Sequence, residues 1–211
     1  MGCVLVERDY KVLREVGRWR FCLGRHIRVL TGFRGARACD RRLKVLIGGG
    51  YLERKKILYG IPSIYTLTHK GRVLLGFNKR QDNIRIDRIV HDIAVLDTVI
   101  YFMHKENINL TNIVSEKELN SQNGFGKRSH SPDFIFTKDH KKFCVEVELS
   151  LKAKHRIEEN VKNNFLKFDF QKWIVPSSQI KISEILEDTA SKYPNIEMLP
   201  LEVVSDYVKK I

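Results

Sequence analysis

Asp133, Glu146 and Glu148 are three carboxylates in one stretch that is rich in strand-forming side chains. Successive residues of a strand face opposite sides, so a strand over Phe143–Leu149 places Glu146 and Glu148 on the same face. Neighbouring carboxylates repel each other, and burial strengthens that repulsion. A hard divalent cation offsets it, because such ions prefer carboxylate oxygens as ligands. The three acids therefore predict a site for Mg²⁺ or Mn²⁺.

Two strands joined by a polar turn are the elements that must position these acids. The pattern predicts strands at Phe134–Phe136 and Phe143–Leu149, with the turn at 137–142. Cys144 and Ser150 share the carboxylate face, whereas the valines between the acids point the other way, into a core. The first acid precedes the first strand, so we expect it to supply a third oxygen ligand.

The positive charge of the chain is concentrated in its first part. The net charge of the 211 residues is +13, yet the first 80 residues hold 19 Lys and Arg against 5 Asp and Glu, a net charge of +14. The remainder is close to neutral. Such asymmetry is typical of a nucleic-acid-binding module joined to a neutral domain.

Several other classes of protein are disfavoured by the composition. No run approaches the ~18 apolar residues of a membrane span, and the N-terminus has no signal-peptide pattern. The four cysteines are widely spaced without a C-x-x-C pair, which argues against structural zinc. Free thiols fit a reducing compartment, so we expect a cytoplasmic protein without membrane contact.

The basic part of the chain has a pattern of three helices followed by a hairpin. Helices are predicted at Arg8–Val16, Leu23–Leu30 and Ala36–Ile47, strands at Tyr51–Leu58 and Ser63–Thr68, and a short helix after Thr68. In the third helix, Cys39, Leu43, Leu46 and Ile47 form one apolar stripe. This order, with the segments RDYKVLREVGRWRF, ACDRRLKVLIGGGYLER and SIYTLTHKGRVLL, resembles the winged-helix family.

The winged-helix resemblance implies which side chains meet DNA. A recognition helix of this kind enters the major groove. Arg37 and Arg41 share a face of the third helix that avoids the apolar stripe, and we expect most basic side chains to contact phosphates. The residues predicted to bind DNA are Arg34, Arg37, Arg41 and Arg42 on or before this helix, and Arg54, Lys55 and Lys56 on the wing.

The second half of the chain alternates helices with strands, which predicts an α/β domain with a mixed sheet. Besides the two strands of the acids, the pattern predicts helices at Asp87–His104, Lys152–Phe165 and Ile180–Lys192, and strands at Lys172–Pro176 and Ile196–Val204, the last an edge strand. Ser115–Leu119 is predicted as a short strand or turn. The sequence thus predicts a winged-helix domain over 1–78 and an α/β domain over 84–211.

The acids resemble the PD-(D/E)-x-K nuclease superfamily. Its motif is matched by Pro132-Asp133 and by Glu146-Val147-Glu148, with Glu148 standing where the motif has lysine. The resemblance implies a restriction-endonuclease-like fold, an Mg²⁺ or Mn²⁺ ion held by the acids, and a lysine that acts on the phosphate. Lys152 or Lys154 would supply that ammonium group from the following helix, and Lys152 has the better offset.

Taken together, the two halves resemble the replication-relaxation family and the related MobC-type relaxases of mobilisable plasmids. This resemblance covers residues 8–204, and it implies nicking or handling of double-stranded DNA at a plasmid or mobile-element origin. The family often carries a His on the helix before the nuclease strands, a place that His91 occupies here. A homodimer is left open.

Other interpretations of the same residues stay open. Asp133 is also a turn-forming residue, the two glutamates would suit the solvated face of an edge strand, and both lysines would suit a helix surface. His130, beside the first acid, is expected on a loop surface. The alternative functions are a non-catalytic DNA-binding replication or transfer accessory factor or transcriptional regulator with a degenerate nuclease fold, and a restriction-type defence endonuclease.

Overall fold

The computed structural model describes residues 4–77, 84–122 and 130–211. The chain divides into two compact units, Met1–Leu96 and Asp97–Ile211. The division falls within one helix, whereas the boundary predicted from the sequence lies at 78–84, largely outside the described residues. No helix among those described is long and apolar enough to span a membrane.

The first unit combines short helices with a small antiparallel sheet. Its elements are α1 (Glu7–Arg18), β1 (Cys22–Leu23), α2 (Gly24–Leu30), α3 (Ala36–Gly48), β2 (Leu52–Lys55), β3 (Ile64–Leu67) and α4 (His69–Leu74). The sheet order is β1-β3-β2. The predicted helices and the hairpin are confirmed as elements. The two-residue strand β1 was missed, because the sequence there indicated only a break between two helices. The winged-helix assignment itself stays a prediction.

The helices of the first unit pack around one core. The apolar positions of α1 and most of the predicted stripe of α3 are buried, including Leu13, Leu43 and Leu46, whereas Ile47 is half-buried. Thr68 caps α4 by accepting a hydrogen bond from the backbone N–H of Gly71. A Cβ atom at Gly71 would lie 2.3 Å from the carbonyl oxygen of Tyr51. Glycine is therefore required where α4 crosses the start of the hairpin.

The second unit is an α/β fold built on a five-stranded mixed sheet. Helix α5 (Ile89–Lys105) leads into it, followed by β4 (Ile113–Ser115), α6 (Glu116–Gln122), β5 (Phe134–Lys138), β6 (Lys141–Val147), α7 (Lys154–Phe165), β7 (Phe170–Val175), α8 (Ile180–Ala190), β8 (Ile196–Pro200) and α9 (Leu201–Lys210). The mixed α/β fold class is thereby confirmed.

The sheet has the order β4-β5-β6-β7-β8. Strand β5 is antiparallel to both of its neighbours, whereas β6, β7 and β8 are parallel. Helices α7 and α8 make the crossovers that parallel strands require. Asp139 and His140 form the two-residue turn between β5 and β6, both with positive φ angles, as hairpin turns prefer.

Two predicted elements of the second unit are wrong in part. Ser115–Leu119 contains the end of β4 and the start of helix α6, in place of a single strand or turn. The last predicted strand ends at Pro200, and helix α9 follows. Proline is well tolerated at the start of a helix, so the apolar run Leu201–Val204 continues as a helix, whose Val204 is buried.

From Cys144 to Val147, strand β6 is buried on both faces, the carboxylate face included. On one face Val145 packs beside Phe134 of β5. On the other, Glu146 lies beside Trp173 of β7, in the layer covered by apolar side chains of α7 and α8. Cys144 is also fully buried on this face. Water is therefore largely excluded from the part of the strand that carries Glu146.

Candidate functional site

The hairpin of β5 and β6 brings Asp133 beside the end of the strand that carries Glu146. The backbone N–H of Asp133 donates to the carbonyl of Val145 over 3.1 Å. In return, the backbone N–H of Val147 donates to Asp133 Oδ2 over 2.8 Å. Asp133 is therefore fixed by the strand ladder and by its own side chain, which is more than a turn-forming role requires.

Glu146 is a buried carboxylate with two polar partners. Glu146 is only 8% exposed. Oε1 lies 2.6 Å from His130 Nε2 and accepts a hydrogen bond from Asn164 Nδ2 over 2.9 Å. His130 comes from the segment before β5, and Asn164 comes from the last turn of α7. The interpretation of Glu146 as the solvated face of an edge strand is therefore wrong.

The pKa of Glu146 is raised above its ordinary value of 4.5. Burial is the main cause, because it disfavours the charged carboxylate, and the charge of Asp133 adds to it. The hydrogen bonds from His130 and Asn164 act in the opposite direction. The two carboxylates thus interact electrostatically, which is the condition that a cation would relieve.

Glu148, just beyond β6, is bound to a lysine. Its Oε2 lies 2.5 Å from Lys152 Nζ, and its side chain is 7% exposed, against 45% for the lysine. Its backbone N–H donates to the carbonyl of Ile174 over 3.0 Å, which extends the pairing with β7. The predicted proximity of Lys152 to this carboxylate is therefore realised in the structure.

The other two predicted catalytic side chains have acidic partners of their own. Lys154 Nζ lies 3.6 Å from Asp188 and 3.9 Å from Glu158, between the helices α7 and α8. His91 lies on α5, in the part that belongs to the first unit, with Nδ1 3.3 Å from Asp92 Oδ1. Lys152, rather than Lys154, is the lysine that the structure places on Glu148.

Two side chains of the site were missed from the sequence. His130 was expected on a loop surface, but it is half-buried and bound to Glu146. Its position three residues before Asp133 was the available signal, because the chain enters β5 directly after that acid. No sequence signal pointed to Asn164, because it lies 18 residues beyond Glu146 on a helix whose pattern predicts a charged surface. Only the crossover of α7 over the sheet brings it to the carboxylate.

Asp133 and Glu146, rather than all three carboxylates, could hold a magnesium ion. Within the described ranges, no group of three or more His, Cys, Asp and Glu side chains is arranged to hold a metal ion. Glu148 already has the ammonium group of Lys152 as its counter-charge. Mg²⁺ is commonly held by one or two carboxylates while it keeps several waters, so the remaining pair is a sufficient donor set.

Cys144 does not extend this donor set. Its thiol lies on the same face as Glu146 and is completely buried. Burial raises the pKa of the thiol, and the nearby charge of Glu146 acts in the same direction. A neutral buried thiol is a poor ligand and a poor nucleophile, so the chemistry of the site belongs to its carboxylates.

The basic side chains of the first unit form a largely exposed set. Six of the seven residues predicted to bind DNA are exposed, namely Arg34, Arg37, Arg41, Arg54, Lys55 and Lys56. On the hairpin, Lys55 lies 2.8 Å from Glu53, and Lys56 donates to the carbonyl of Ile61 over 2.8 Å. Exposed cations of this density attract phosphate without requiring a rigid pocket.

Arg42 is the exception, and its predicted DNA contact is corrected to a structural role. Its Nε donates to Asp9 Oδ1 over 2.6 Å, its Nη2 binds Asp9 Oδ2, and Nη2 also donates to the carbonyl of Val4 over 2.8 Å. Asp9 is completely buried. The guanidinium group therefore joins α3 to α1 and neutralises an acid that the core encloses.

Comparison with known proteins does not name a family. A scan of the sequence against protein-family models finds no match, and a search of curated proteins finds no similar chain. Membership of the replication-relaxation family and of the nuclease superfamily therefore stays a prediction. The function has to be argued from the geometry of the site.

Proposed function

We propose that the chain binds double-stranded DNA and nicks it in a reaction that depends on Mg²⁺ or Mn²⁺. The observation that carries the proposal is the pair of interacting carboxylates, Asp133 and Glu146, with the Glu148–Lys152 ion pair at the end of the same strand. The resemblance to plasmid relaxases favours a role for this activity in plasmid mobilisation or replication.

Asp133 and Glu146 would hold the metal ion together. When bound there, the ion would supply Lewis-acid chemistry that polarises the scissile phosphate and lowers the pKa of a bound water. Asp133 is held in place by the backbone of Val147, and Glu146 is held by His130 and Asn164. Carboxylates that are fixed in this way need little reorganisation when the ion and the phosphate arrive.

Lys152 would balance the charge that develops on the phosphate. Its ammonium group is partly exposed and is held by the buried carboxylate of Glu148. Charge-assisted contacts of this kind position a cation without removing its ability to bind a second anion. In this arrangement Glu148 orients the lysine, which accounts for an acid at the position where the motif has lysine.

The first unit would deliver the DNA. The exposed arginines of α3, with those of the hairpin β2–β3, supply contacts to the phosphate backbone. Such contacts give affinity that depends strongly on salt, and they carry little sequence information. One or two arginines that reach guanine edges would add sequence preference.

A plasmid-nicking assay tests this proposal. Supercoiled DNA is incubated with Mg²⁺ or Mn²⁺ and with the wild type, Asp133→Ala, Glu146→Ala or Lys152→Ala. We expect each of the first two substitutions to lower the nicking rate at least about 100-fold, because each removes a metal ligand. Glu159→Ala, at an exposed acid on α7, is the matched control and should nick at the wild-type rate. Equal rates in all five proteins would overturn the catalytic assignment.

A second candidate is a DNA-binding protein without catalysis. It is favoured by the absence of a three-ligand group among the described residues and by the neutralisation of Glu148 by Lys152. Calorimetric titration of the wild type with Mn²⁺ separates the two functions. Binding that Glu146→Ala abolishes supports the nuclease, whereas DNA affinity without metal binding supports the accessory factor or regulator.

A further inference from the structure

The two side chains that contact Glu146 converge on a single oxygen. Both His130 Nε2, at 2.6 Å, and Asn164 Nδ2, at 2.9 Å, lie against Oε1. Within the described part of the chain, the second oxygen, Oε2, makes no hydrogen bond. Two partners on one oxygen fix the rotation of the carboxylate and leave the other oxygen to face a ligand.

These two partners come from different elements of the second unit. The segment before β5 is tied to β6 twice, by His130 to Glu146 and by Asp133 to the backbone of Val147. Asn164, which is only 1% exposed, approaches from α7. The same segment therefore positions one proposed metal ligand directly and the other through its histidine.

The burial of Glu146 makes this support necessary. A carboxylate in a low-dielectric site is destabilised unless hydrogen bonds satisfy it. An unsupported side chain would turn towards solvent or take up a proton, and either change would remove a metal ligand. Outer partners of this kind commonly set the orientation of a metal-binding side chain.

We propose that His130 and Asn164 are positioning residues that hold Glu146 by Oε1 and so present Oε2, beside Asp133, to the divalent cation. The inference rests on the proposed metal-dependent function and deepens it. Neither residue touches DNA in this role. Each acts on the reaction through Glu146 alone.

Titration of the full chain with Mn²⁺, followed by calorimetry, tests the role without relying on cleavage. We expect His130→Ala and Asn164→Ala each to weaken the binding of Mn²⁺ by about 10- to 100-fold. His130→Gln keeps a donor and should recover much of the lost affinity, which a merely structural role would not predict. The matched controls are His155→Ala and Asn163→Ala, which replace a histidine and an asparagine of α7 that do not contact Glu146.

Melting temperatures without metal show whether each variant is folded. Asn164 is buried and its replacement carries the greater risk of unfolding, so the half-exposed His130 keeps the test decisive. If the wild type binds Mn²⁺ and the folded His130→Ala binds it equally well, the positioning role is wrong while the metal site stands. If the wild type binds no Mn²⁺, the metal-dependent function fails and the positioning role fails with it.

Discussion

The basic surface of the first unit and the carboxylate site of the second handle charge in opposite ways. The arginines of α3 and the lysines of the hairpin are mostly exposed, and water solvates them. Glu146 and Glu148 are buried, and each has a protein partner within 2.6 Å. Exposed charge can be placed by almost any helix or hairpin, but buried charge requires that the fold also place its partners.

Arg42 is an exception to this contrast, because it belongs to the basic set and yet pairs with a buried acid. Its side chain is 25% exposed, whereas that of Asp9 is completely enclosed. Removing one partner of a buried pair leaves an uncompensated charge, which costs more than the pair itself contributes. The contrast between Arg42 and its exposed neighbours therefore offers the sharpest way to break the comparison.

The largest expected effect is the loss of stability in Arg42→Ala. The substitution should lower the free energy of unfolding by about 3 kcal/mol, since Asp9 is left buried without a counter-charge. Urea unfolding measures the change. Arg41→Ala, one residue earlier on the exposed face of α3, is the control, with an expected change within about 0.5 kcal/mol. Similar losses in both variants would contradict the structural role of Arg42.

DNA affinity should show the reverse order for the same two residues. Arg41→Ala should weaken DNA binding by about 1–3 kcal/mol if its side chain reads a base edge, as measured by fluorescence anisotropy at moderate salt. Folded Arg42→Ala should bind almost as well as the wild type, because its guanidinium group is already committed to Asp9. Arg156→Ala, at an exposed arginine of α7, controls for the general loss of positive charge.

A smaller effect concerns the pH dependence of stability through Glu146. Its pKa is raised in the folded protein, mainly by burial, so the folded state binds the proton more tightly than the unfolded chain does. Stability from this group is therefore present at low pH and is lost as the pH rises from about the unfolded value of 4.5 through the raised pKa. Glu146→Gln, which cannot ionise, should melt at a higher temperature than the wild type at pH 8 in the absence of metal.

The size of that difference is expected to shrink as the pH falls. A gain of 1 kcal/mol corresponds to about 2–4 °C in melting temperature for a chain of this size. At pH 4 the two proteins should melt at nearly the same temperature. A wild type that gains stability between pH 5 and pH 8 relative to Glu146→Gln would show that the carboxylate is better satisfied in its charged form than its burial implies.

The sequence was sufficient to predict much of the backbone. Long periodic segments such as α1, α3 and α5 carry their own signal, and so does the hairpin of β5 and β6. The misplaced elements are short or ambiguous ones. The apolar run after Pro200 suits a strand or a helix equally well, and only packing in the second unit decides that it is α9.

The partners of the acids were less predictable than the acids themselves. Asp133 and Glu146 are adjacent in space because they lie on paired strands, and strand pairing can be inferred from pattern. Asn164 reaches Glu146 through a crossover helix, and Arg42 reaches Asp9 from 33 residues away. Contacts of this kind depend on how helices and strands pack together, and that packing cannot be inferred from the local sequence.

The tight turn at Asp139-His140 has a consequence for the distant end of its hairpin. The turn fixes the register that pairs Lys138 with Lys141 and, further along, Phe134 with Val145. Side chains alternate along a strand, so a slip of one residue would exchange the places of Glu146 and Val147. The valine would then face His130 and Asn164, while the acid entered an aromatic layer. The length of the turn thus sets the strand register, and a single residue inserted there would misplace the carboxylate without altering Glu146 itself.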